Sequence, residues 1–426
     1  MYLQNLSFRE NAGQNIEWII DDVKLGEINL MVGKNSSGKT RTLNALSDLV
    51  GMLKGKGTSA TGPVSYELLF RNGEAFMRYE LAYDLVTIKM ERLYMGEELV
   101  LERGEDGRGV IKYESTPGDI FLEFEIPHDQ LACYAKRDRL QHPFIEIIHG
   151  WAISLRRFDF SGDLGKSRYA LKSAFEAREI DLSVTNNSLV PVLTVAEEEY
   201  PKFREMVLND MREISYNLQD FGIVHFSERF GQADQDRYAV YTTEEGLEKQ
   251  VTQRDMSQGM FRAFSVLVQL NYYILCRHKG FVIIDDIGEG LDFSRAKLLV
   301  QLLIRKAGPS GIQLIMSTND SFIMNAVDIE HWAVIVREGN KISLFNYENS
   351  KEIFEEFKFT GLNNFDFYAS EFFRSGFQDG LPGDDLQEEE PRDEEPSGEE
   401  PPDEEPPGEE PPGNRGKGSA DGDPGQ

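Results

Sequence analysis

The order of hydrophobic and polar positions predicts a strand, a glycine-rich loop and a helix at the start of the chain. Residues 2–8 alternate between apolar and polar side chains, which is the period of a half-buried strand. Residues 27–32 form a short apolar run that leads directly into a glycine-rich stretch. Leu43, Leu46 and Val50 then recur at helical spacing, so a helix is predicted immediately after that stretch.

A series of short β segments is predicted between residues 65 and 126. Turn residues separate these segments, and Asn72-Gly73 is a strong hairpin signal, because both residues tolerate the positive φ that a tight turn requires. The pattern therefore predicts an antiparallel lobe beside the glycine-rich loop.

The pattern becomes mostly helical from about residue 143 to residue 219, which we interpret as a helical insertion. Farther along, residues 258–277 predict a long apolar helix, and residues 280–285 and 311–317 predict buried strands. Strands that alternate with helices favour parallel pairing. The predicted fold class is therefore α/β, with an antiparallel β lobe and a helical insertion within a single domain over residues 1–378.

Composition separates the last part of the chain from the rest. Residues 379–426 contain 18 acidic and 3 basic residues, about half of the net charge of −29, and include five consecutive Glu/Pro-rich pentapeptides. Such a segment has little apolar surface to bury, so we expect a disordered acidic tail. We interpret it as a solubilising appendage, and the alternative is a mimic of nucleic acid that competes for a basic groove.

Composition also limits the class of protein. The two cysteines are far apart in sequence, which predicts no disulfide framework and suits a reducing compartment. No apolar stretch approaches the ~18 residues of a membrane span, and the first residues do not resemble a signal peptide. A cytoplasmic protein is therefore expected, and its acidic character argues against broad non-specific DNA binding.

The glycine-rich stretch matches the phosphate-binding pattern G-x-x-x-x-G-K-[ST] in full. Its residues are Gly33, Lys34, Asn35, Ser36, Ser37, Gly38, Lys39 and Thr40. In this pattern the glycines let successive backbone N–H groups face the phosphates, and the lysine charge lies near the β- and γ-phosphates. The hydroxyl of Thr40 is the expected Mg²⁺ ligand, so the sequence predicts binding of ATP with Mg²⁺.

A pair of acidic residues ends the buried strand at residues 281–285. Asp285 closes the apolar run and is the predicted second group for Mg²⁺, acting through water. Asp286 follows at the position of a general base or water-positioning carboxylate. The alternative interpretation is that the two acids merely cap a strand end.

Three further elements follow the order known from ABC-type ATPases. Ser257 and Gly259 begin the long apolar helix and resemble the signature motif, with Gln258 between them. Asp292 closes a Gly-Glu-Gly-Leu-Asp stretch that resembles the D-loop. Asn319 follows the strand at 311–317, at the place where a histidine normally contacts the γ-phosphate.

With these motifs in order, the chain resembles ABC-type ATPases of the branch that contains RecF and the structural-maintenance-of-chromosomes heads. It looks most similar to the ATPase part of the overcoming-lysogenisation-defect family, without that family's nuclease domain. The resemblance covers about residues 1–377. It implies an ATPase head that forms a homodimer around two ATP molecules, each site pairing one copy's phosphate loop with Ser257 and Gly259 of the other.

Three departures from the family pattern predict slow turnover. Asp286 is one methylene shorter than the usual glutamate, Asn319 carries no charge, and Ile287 replaces a proline. The resulting hypothesis is a slow ATPase, with Lys39, Asp286 and Asn319 as catalytic residues, that acts as a switch on DNA or an effector protein in genome maintenance or phage defence. The alternatives are a nucleotide-gated binding module with little or no hydrolysis and, less favoured because of the long insertion, the ATPase subunit of a transporter.

Overall fold

The computed structural model describes residues 1–58, 60–115, 118, 120–171, 189–225, 237–247, 249–277 and 280–376. These residues lie in one compact unit, Met1–Asp379. The predicted acidic tail, residues 379–426, lies outside the described part of the chain. None of the helices in the described ranges is long and apolar enough to cross a membrane.

Strands and α-helices are numbered separately in chain order. The strands are β1 (Tyr2–Glu10), β2 (Trp18–Lys24), β3 (Ile28–Val32), β4 (Pro63–Asn72), β5 (Ala75–Asp84), β6 (Thr87–Met95), β7 (Glu98–Arg103), β8 (Arg108–Tyr113), β9 (Ile120–Glu125), β10 (Leu155–Asp159), β11 (Ala170–Leu171), β12 (Leu218–His225), β13 (Arg237–Glu244), β14 (Val251–Thr252), β15 (Phe281–Asp285), β16 (Gln313–Thr318), β17 (Trp332–Glu338) and β18 (Lys341–Asn346). The α-helices are α1 (Lys39–Leu53), α2 (Ala132–Ala135), α3 (Pro143–Ser154), α4 (Val190–Glu199), α5 (Phe203–Glu213), α6 (Gln258–Leu275), α7 (Phe293–Ala307), α8 (Ser321–Ala326), α9 (Tyr347–Lys358) and α10 (Asn364–Ala369).

One large sheet runs through the described unit in the order β10-β15-β16-β3-β17-β18-β2-β1-β4-β5-β6-β7-β8-β9. The strands from β10 to β17 in that order are parallel, whereas β1 and the strands from β4 to β9 pair antiparallel. The predicted α/β class with an antiparallel lobe is therefore confirmed. Strand β16 lies between β15 and β3, so its carboxyl end separates the acidic pair from the phosphate loop.

Two hydrophobic cores cover the two faces of the parallel strands. Leu30 and Val32 of β3 belong to the core that contains α6 and α7, and Met31 belongs to the core that contains α1 and the antiparallel lobe. This division follows from the two-residue period of a strand, which sends successive side chains to opposite faces. Residues of β3 are consequently buried on both faces, and the loop that follows starts from a fixed position.

The segment predicted as mostly helical, residues 143–219, differs from that prediction at β10. Helices α3, α4 and α5 lie in this segment, but β10 pairs in parallel with β15 at the edge of the large sheet. Arg156 in β10 is buried, and its guanidinium lies 5.1 Å from the ring centroid of Tyr273. Two arginines in this strand obscure its apolar pattern, and only the pairing with β15 makes it a strand. Residues 172–188 of the predicted insertion lie outside the described part.

Candidate nucleotide-binding site

The phosphate loop, Gly33 to Thr40, connects β3 to α1 and requires glycine at both glycine positions of the pattern. A Cβ atom on Gly33 would lie 2.7 Å from the Ile335 side chain and 2.8 Å from the Ile335 carbonyl oxygen. Gly38 has a φ of 104°, and a Cβ there would lie 2.8 Å from the ring of Trp18. Strand β17 and Trp18 therefore hold the loop backbone so closely that side chains are excluded.

Lys39 is buried within this loop. Its ammonium donates hydrogen bonds to the carbonyl oxygens of Gly33, at 2.7 Å, and Lys34, at 3.2 Å. Burial lowers the pKa of Lys39, and the carboxylates of Asp286 and Asp285 partly oppose that shift. The lysine charge thus lies within electrostatic reach of both predicted acidic residues, although they are more than 240 positions away in sequence.

Asp285 ends β15 and is almost completely buried. Its Oδ1 accepts a hydrogen bond from the hydroxyl of Ser317 at 2.5 Å, and its Oδ2 lies 3.5 Å from Nη2 of Arg157. Arg157 also donates a 3.0 Å hydrogen bond to the hydroxyl of Ser47 in α1. The carboxylate is thus oriented by β16 on one side and by β10 on the other.

Asp286 lies directly beyond the strand with a φ of 53°. This left-handed conformation is uncommon for a non-glycine residue, although aspartate tolerates it better than most. The backbone N–H of Asp286 donates a 2.9 Å hydrogen bond to the hydroxyl of Ser317, which holds the residue in place. Burial raises the pKa of Asp286, the neighbouring Asp285 raises it further, and Lys39 opposes the shift.

Asn319 follows β16 and contacts the phosphate loop. Its side-chain amide donates a 2.8 Å hydrogen bond to the side-chain oxygen of Asn35. Ser36 adopts a φ of 65° next to this contact, and Thr40 is exposed at the start of α1. The ends of β3, β15 and β16 therefore meet at one edge of the sheet, where parallel strands of α/β proteins commonly bind ligands.

Ser257 and Gly259 lie at the N-terminus of α6. Among the described residues, they contact the first turn of α6 and the predicted D-loop. The Ser257 hydroxyl accepts a 3.2 Å hydrogen bond from the N–H of Met260. A Cβ on Gly259 would lie 2.4 Å from the carbonyl oxygen of Gly290. The predicted signature and the predicted D-loop are consequently packed against each other within one copy of the chain.

Asp292 begins α7. Its carboxylate accepts a 3.1 Å hydrogen bond from the backbone N–H of Arg295 and pairs with the guanidinium of the same residue at 2.9 Å. These contacts explain why the pKa of Asp292 is lowered, with the backbone hydrogen bond as the largest cause. The exposed side chain also leaves this helix start accessible from outside.

The loop fits a nucleotide phosphate with Mg²⁺. The hydroxyl of Ser37 is buried and has no hydrogen-bond partner among the described residues, and loop carbonyls accept two hydrogen bonds from the Lys39 ammonium, which has three N–H groups. A phosphate oxygen accepts hydrogen bonds from groups of both kinds. Thr40 and Asp285 supply a hydroxyl and a carboxylate, which are oxygen ligands of the type that Mg²⁺ prefers.

Sequence analysis missed three residues at this edge: Arg157, Asp159 and Ser317. Asp159 ends β10 in register with Asp285 and contributes to the raised pKa of Asp286. The available signal was the short run at residues 155–158, which is apolar and basic and ends in the acid Asp159. The apolar run at residues 281–284 ends in the acid Asp285 in the same way. Because the run at residues 155–158 lies in the segment predicted as helical, that signal could be used only once the strand was known.

A protein-family model described as "AAA domain, putative AbiEii toxin, Type IV TA system" matches residues 144–325. The match begins after the phosphate loop and includes the signature, the acidic pair and Asn319. No curated protein sequence matches the chain at a significant level. Over residues 144–325 the chain is therefore similar to AAA domains, and with the phosphate loop this supports a nucleotide-binding domain of the ATPase type.

Two solved structures are similar to the fold. One is described as an SmcHead bound to the C-winged helix domain of ScpA, with 12% identity, a TM-score of 0.47 and coverage of 81% of this chain and 97% of that one. The other is an Smc head domain with an extended coiled coil, bound to the C-terminal domain of ScpA, derived from Pyrococcus furiosus. It has 12% identity, a TM-score of 0.42 and coverage of 84% and 99%.

Proposed function

We propose that this chain binds ATP with Mg²⁺ and is a slow ATPase whose ATP-dependent dimerisation acts as a switch on DNA or on an effector protein. The observation that carries the proposal is the convergence of Lys39, Asp285, Asp286 and Asn319 at the carboxyl edge of three neighbouring strands. These side chains are a cation, two acids and an amide, the groups that phosphoryl transfer needs.

Each residue has a role that its surroundings support. Lys39 and the loop N–H groups would bind the phosphates, while Thr40 and Asp285 would hold the metal ion. Mg²⁺, when bound, supplies positive charge that neutralises the phosphates. Asp286 accepts a proton from the attacking water or orients that water, and Asn319 donates a hydrogen bond to the γ-phosphate.

The dimer is proposed because Ser257 and Gly259 lie at a second helix start of the kind that binds anions. Within one copy, Gly259 packs against Gly290 and Leu291 of the predicted D-loop. A second copy would place this helix N-terminus against the γ-phosphate, where its N–H groups favour negative charge. The nucleotide would then stabilise the dimer, and hydrolysis would release it.

Lys39→Ala tests nucleotide binding. We expect loss of detectable binding of a fluorescent ATP analogue, because the buried cation of the loop is removed. Lys56→Ala, which removes an exposed lysine just beyond α1, is the matched control and should bind as the unchanged chain does. Equal binding by all three proteins would contradict the proposed phosphate site.

Asp286→Asn separates the slow ATPase from the alternative, a nucleotide-gated binding module with little or no hydrolysis. Asparagine keeps the size and tolerates the positive φ but cannot act as a base. We expect the variant to keep ATP-dependent dimerisation, measured by light scattering, and to lose phosphate release. If the unchanged chain dimerises with ATP but releases no more phosphate than the variant, the binding module is the correct function.

The partner is tested separately. DNA affinity is measured with and without ATP over a range of salt concentrations, because contacts to phosphates give a strong salt dependence. ATP-dependent DNA binding supports the DNA switch. If DNA binding is absent while ATP-dependent dimerisation persists, the effector-protein form of the proposal stands and the DNA form fails.

A further inference from the structure

The first feature is an exposed aromatic pair beside the nucleotide-binding edge. Phe293 is 53% exposed at the start of α7, and Phe322 is 58% exposed at the start of α8. Their ring centroids lie 4.9 Å apart, so the two rings form a single apolar protrusion. Each ring follows a predicted site element, since Phe293 comes directly after Asp292 and Phe322 comes three residues after Asn319. We call Phe293 and Phe322 the aromatic pair.

The second feature is a cavity of about 490 Å³ that is lined in part by the phosphate loop. Asn35 forms part of one wall, the end of β17 forms another, and the aromatic side chains of Phe365, Tyr368 and Phe373 contribute a third. Lys34, Ser36 and Ser37 of the phosphate loop also line it, whereas Lys39, Thr40, Asp285 and Asp286 do not, so the cavity shares the loop as a wall with the phosphate site. We call it the loop-side pocket.

The aromatic pair and the loop-side pocket lie at the same edge of the large sheet. Asn319, close to Phe322 in sequence, donates its hydrogen bond to Asn35, and Asn35 lines the pocket. Strand β17 runs parallel to β3, so its end at Arg337 lies at the same edge as the phosphate loop. A protrusion and a recess on one face meet the requirement of a two-fold interface, in which each copy offers the same self-complementary patch.

The net charges near the aromatic pair and in the loop-side pocket are opposite in sign. The pocket is lined by Lys34, Arg337 and Arg374 and by the carboxylate of Glu371, which lies 3.8 Å from Lys34. Arg374 pairs with Glu338 as well as with Glu371, so three cations stand against two acids and leave a small excess of positive charge. In the segments that contain the aromatic pair, the three acids Glu289, Asp292 and Asp320 stand against the two bases Arg295 and Lys297, and Arg295 is paired with Asp292. Opposite local charges favour the approach of one patch to the other and disfavour like-to-like contacts.

We infer that the aromatic pair of one copy inserts into the loop-side pocket of a second copy, and that this reciprocal contact stabilises the ATP-dependent dimer. The inference rests on the proposed function and names its contact surface. Each copy contributes two half-exposed rings, so a dimer has four. Together they would lose about 300–500 Å² of exposed surface, since a fully buried phenylalanine buries about 150–250 Å². A stable interface buries about 1,200–2,000 Å², so the contact alone is too small and dimerisation still requires the nucleotide.

The first test removes the protrusion. Phe293→Ser with Phe322→Ser should weaken dimerisation by about tenfold or more in the presence of Mg²⁺ and a slowly hydrolysed ATP analogue, as expected when buried aromatic anchors are lost. Phe359→Ser is the matched control, because Phe359 is 88% exposed at the end of α9. Binding of a fluorescent nucleotide to single chains should stay unchanged in both proteins.

The second test blocks the recess. Ala369 is exposed and lines the pocket, so Ala369→Trp should fill it and Ala369→Glu should place a carboxylate there. Either variant alone should dimerise weakly. An equal mixture of Ala369→Trp chains and chains lacking the aromatic pair should recover ATP-dependent dimers, because a mixed dimer regains one of its two contacts while neither parent has any.

Light scattering and copurification of differently tagged chains are the measurements that decide between the outcomes. Recovery of dimers in the mixture, with an unaffected Phe359→Ser control, supports the inference. Normal dimerisation without the aromatic pair, or no recovery by either Ala369 variant, overturns it and leaves the proposed function intact. A wild-type chain that never dimerises with ATP overturns both. If Ala369→Trp weakens nucleotide binding by single chains, the pocket holds the base and the inference is wrong.

Discussion

The side-chain amide of Asn319 donates a 2.8 Å hydrogen bond to the side-chain oxygen of Asn35. This bond joins the end of β16 to the phosphate loop, across 284 positions of sequence. The Asn319 amide is the donor that the proposed mechanism assigns to the γ-phosphate, and it is already held beside the phosphate loop. When the phosphate binds, this amide would exchange its hydrogen bond to Asn35 for one to the phosphate.

Asn319→Ala should slow ATP hydrolysis by about a hundredfold to a thousandfold, because a single donor to the developing charge is lost. Nucleotide affinity should change much less, since the loop N–H groups and Lys39 remain. Asn319→Asp should be more severe, because it places a negative charge near the phosphates. Phosphate release and fluorescent-nucleotide binding are measured together, and equal rates in all three proteins would remove Asn319 from the mechanism.

Arg157→Met should lower the free energy of unfolding by about 1–3 kcal/mol, because the nearly buried carboxylate of Asp285 loses a charged neighbour. When Asp285 is already replaced by asparagine, Arg157→Met should change the free energy of unfolding by less. The difference is the coupling energy between the two residues, expected to be about 0.5–3 kcal/mol. Chemical denaturation of the four proteins gives this value.

The control for that cycle is Arg305→Met, which breaks an exposed ion pair with Glu213. An exposed pair contributes about 0–1 kcal/mol, so a small change is expected. If Arg157→Met and Arg305→Met have equal effects, Arg157 does not stabilise the acidic residue at the site.

Gly259→Ala should destabilise the chain by about 1–3 kcal/mol, the usual cost of forcing extra atoms into a packed region. The new Cβ would lie 2.4 Å from the carbonyl oxygen of Gly290 and 2.9 Å from the Leu291 side chain, so the predicted D-loop must move. Gly150→Ala in α3 is the comparison, because a Cβ there meets nothing within 4 Å. It should stabilise the helix by about 0.5–1 kcal/mol. Denaturation midpoints that shift in the same direction for both variants would refute this packing argument.

Glu91→Gln tests a buried carboxylate in the antiparallel lobe. Glu91 is fully buried and accepts hydrogen bonds from the N–H groups of Ala132 and Cys133 and from the hydroxyl of Tyr79. Burial raises its pKa above the ordinary value of 4.5, and the hydrogen bonds partly oppose the shift. A raised carboxyl pKa stabilises the folded state most at low pH, and that contribution is lost as pH rises through the folded pKa.

We therefore expect the stability of the unchanged chain, relative to Glu91→Gln, to fall as pH rises from about 4.5 through the folded pKa of Glu91 and then to level off. Unfolding free energies measured over that pH range supply the comparison. The control is Glu67→Gln in strand β4 of the same antiparallel lobe, where the side chain is exposed. A difference that grows in favour of the unchanged chain as pH rises would mean that the direction of the pKa shift is wrong.

Local chemistry made part of this protein predictable from its sequence. The run from Gly33 to Thr40 is contiguous, and the glycine spacing, the lysine and the preceding apolar strand indicate a phosphate loop without reference to any distant residue. The acids at Asp285 and Asp286 were likewise marked by the apolar strand that they end. The helix beginning at Gln258 and its cap at Ser257 follow from the same kind of local pattern.

Tertiary structure decided which of these segments meet and what holds them. Strand order places β16 between β15 and β3, which brings Ser317 to Asp285 and Asn319 to Asn35. The role of β10 depended on its pairing with β15, because a short strand with two arginines has no distinctive pattern of its own. Sequence determined the local backbone and the chemical groups, since those depend on neighbouring residues. The oriented carboxylate, the raised pKa of Asp286 and the loop-side pocket depend on contacts between distant residues, which only the folded chain provides.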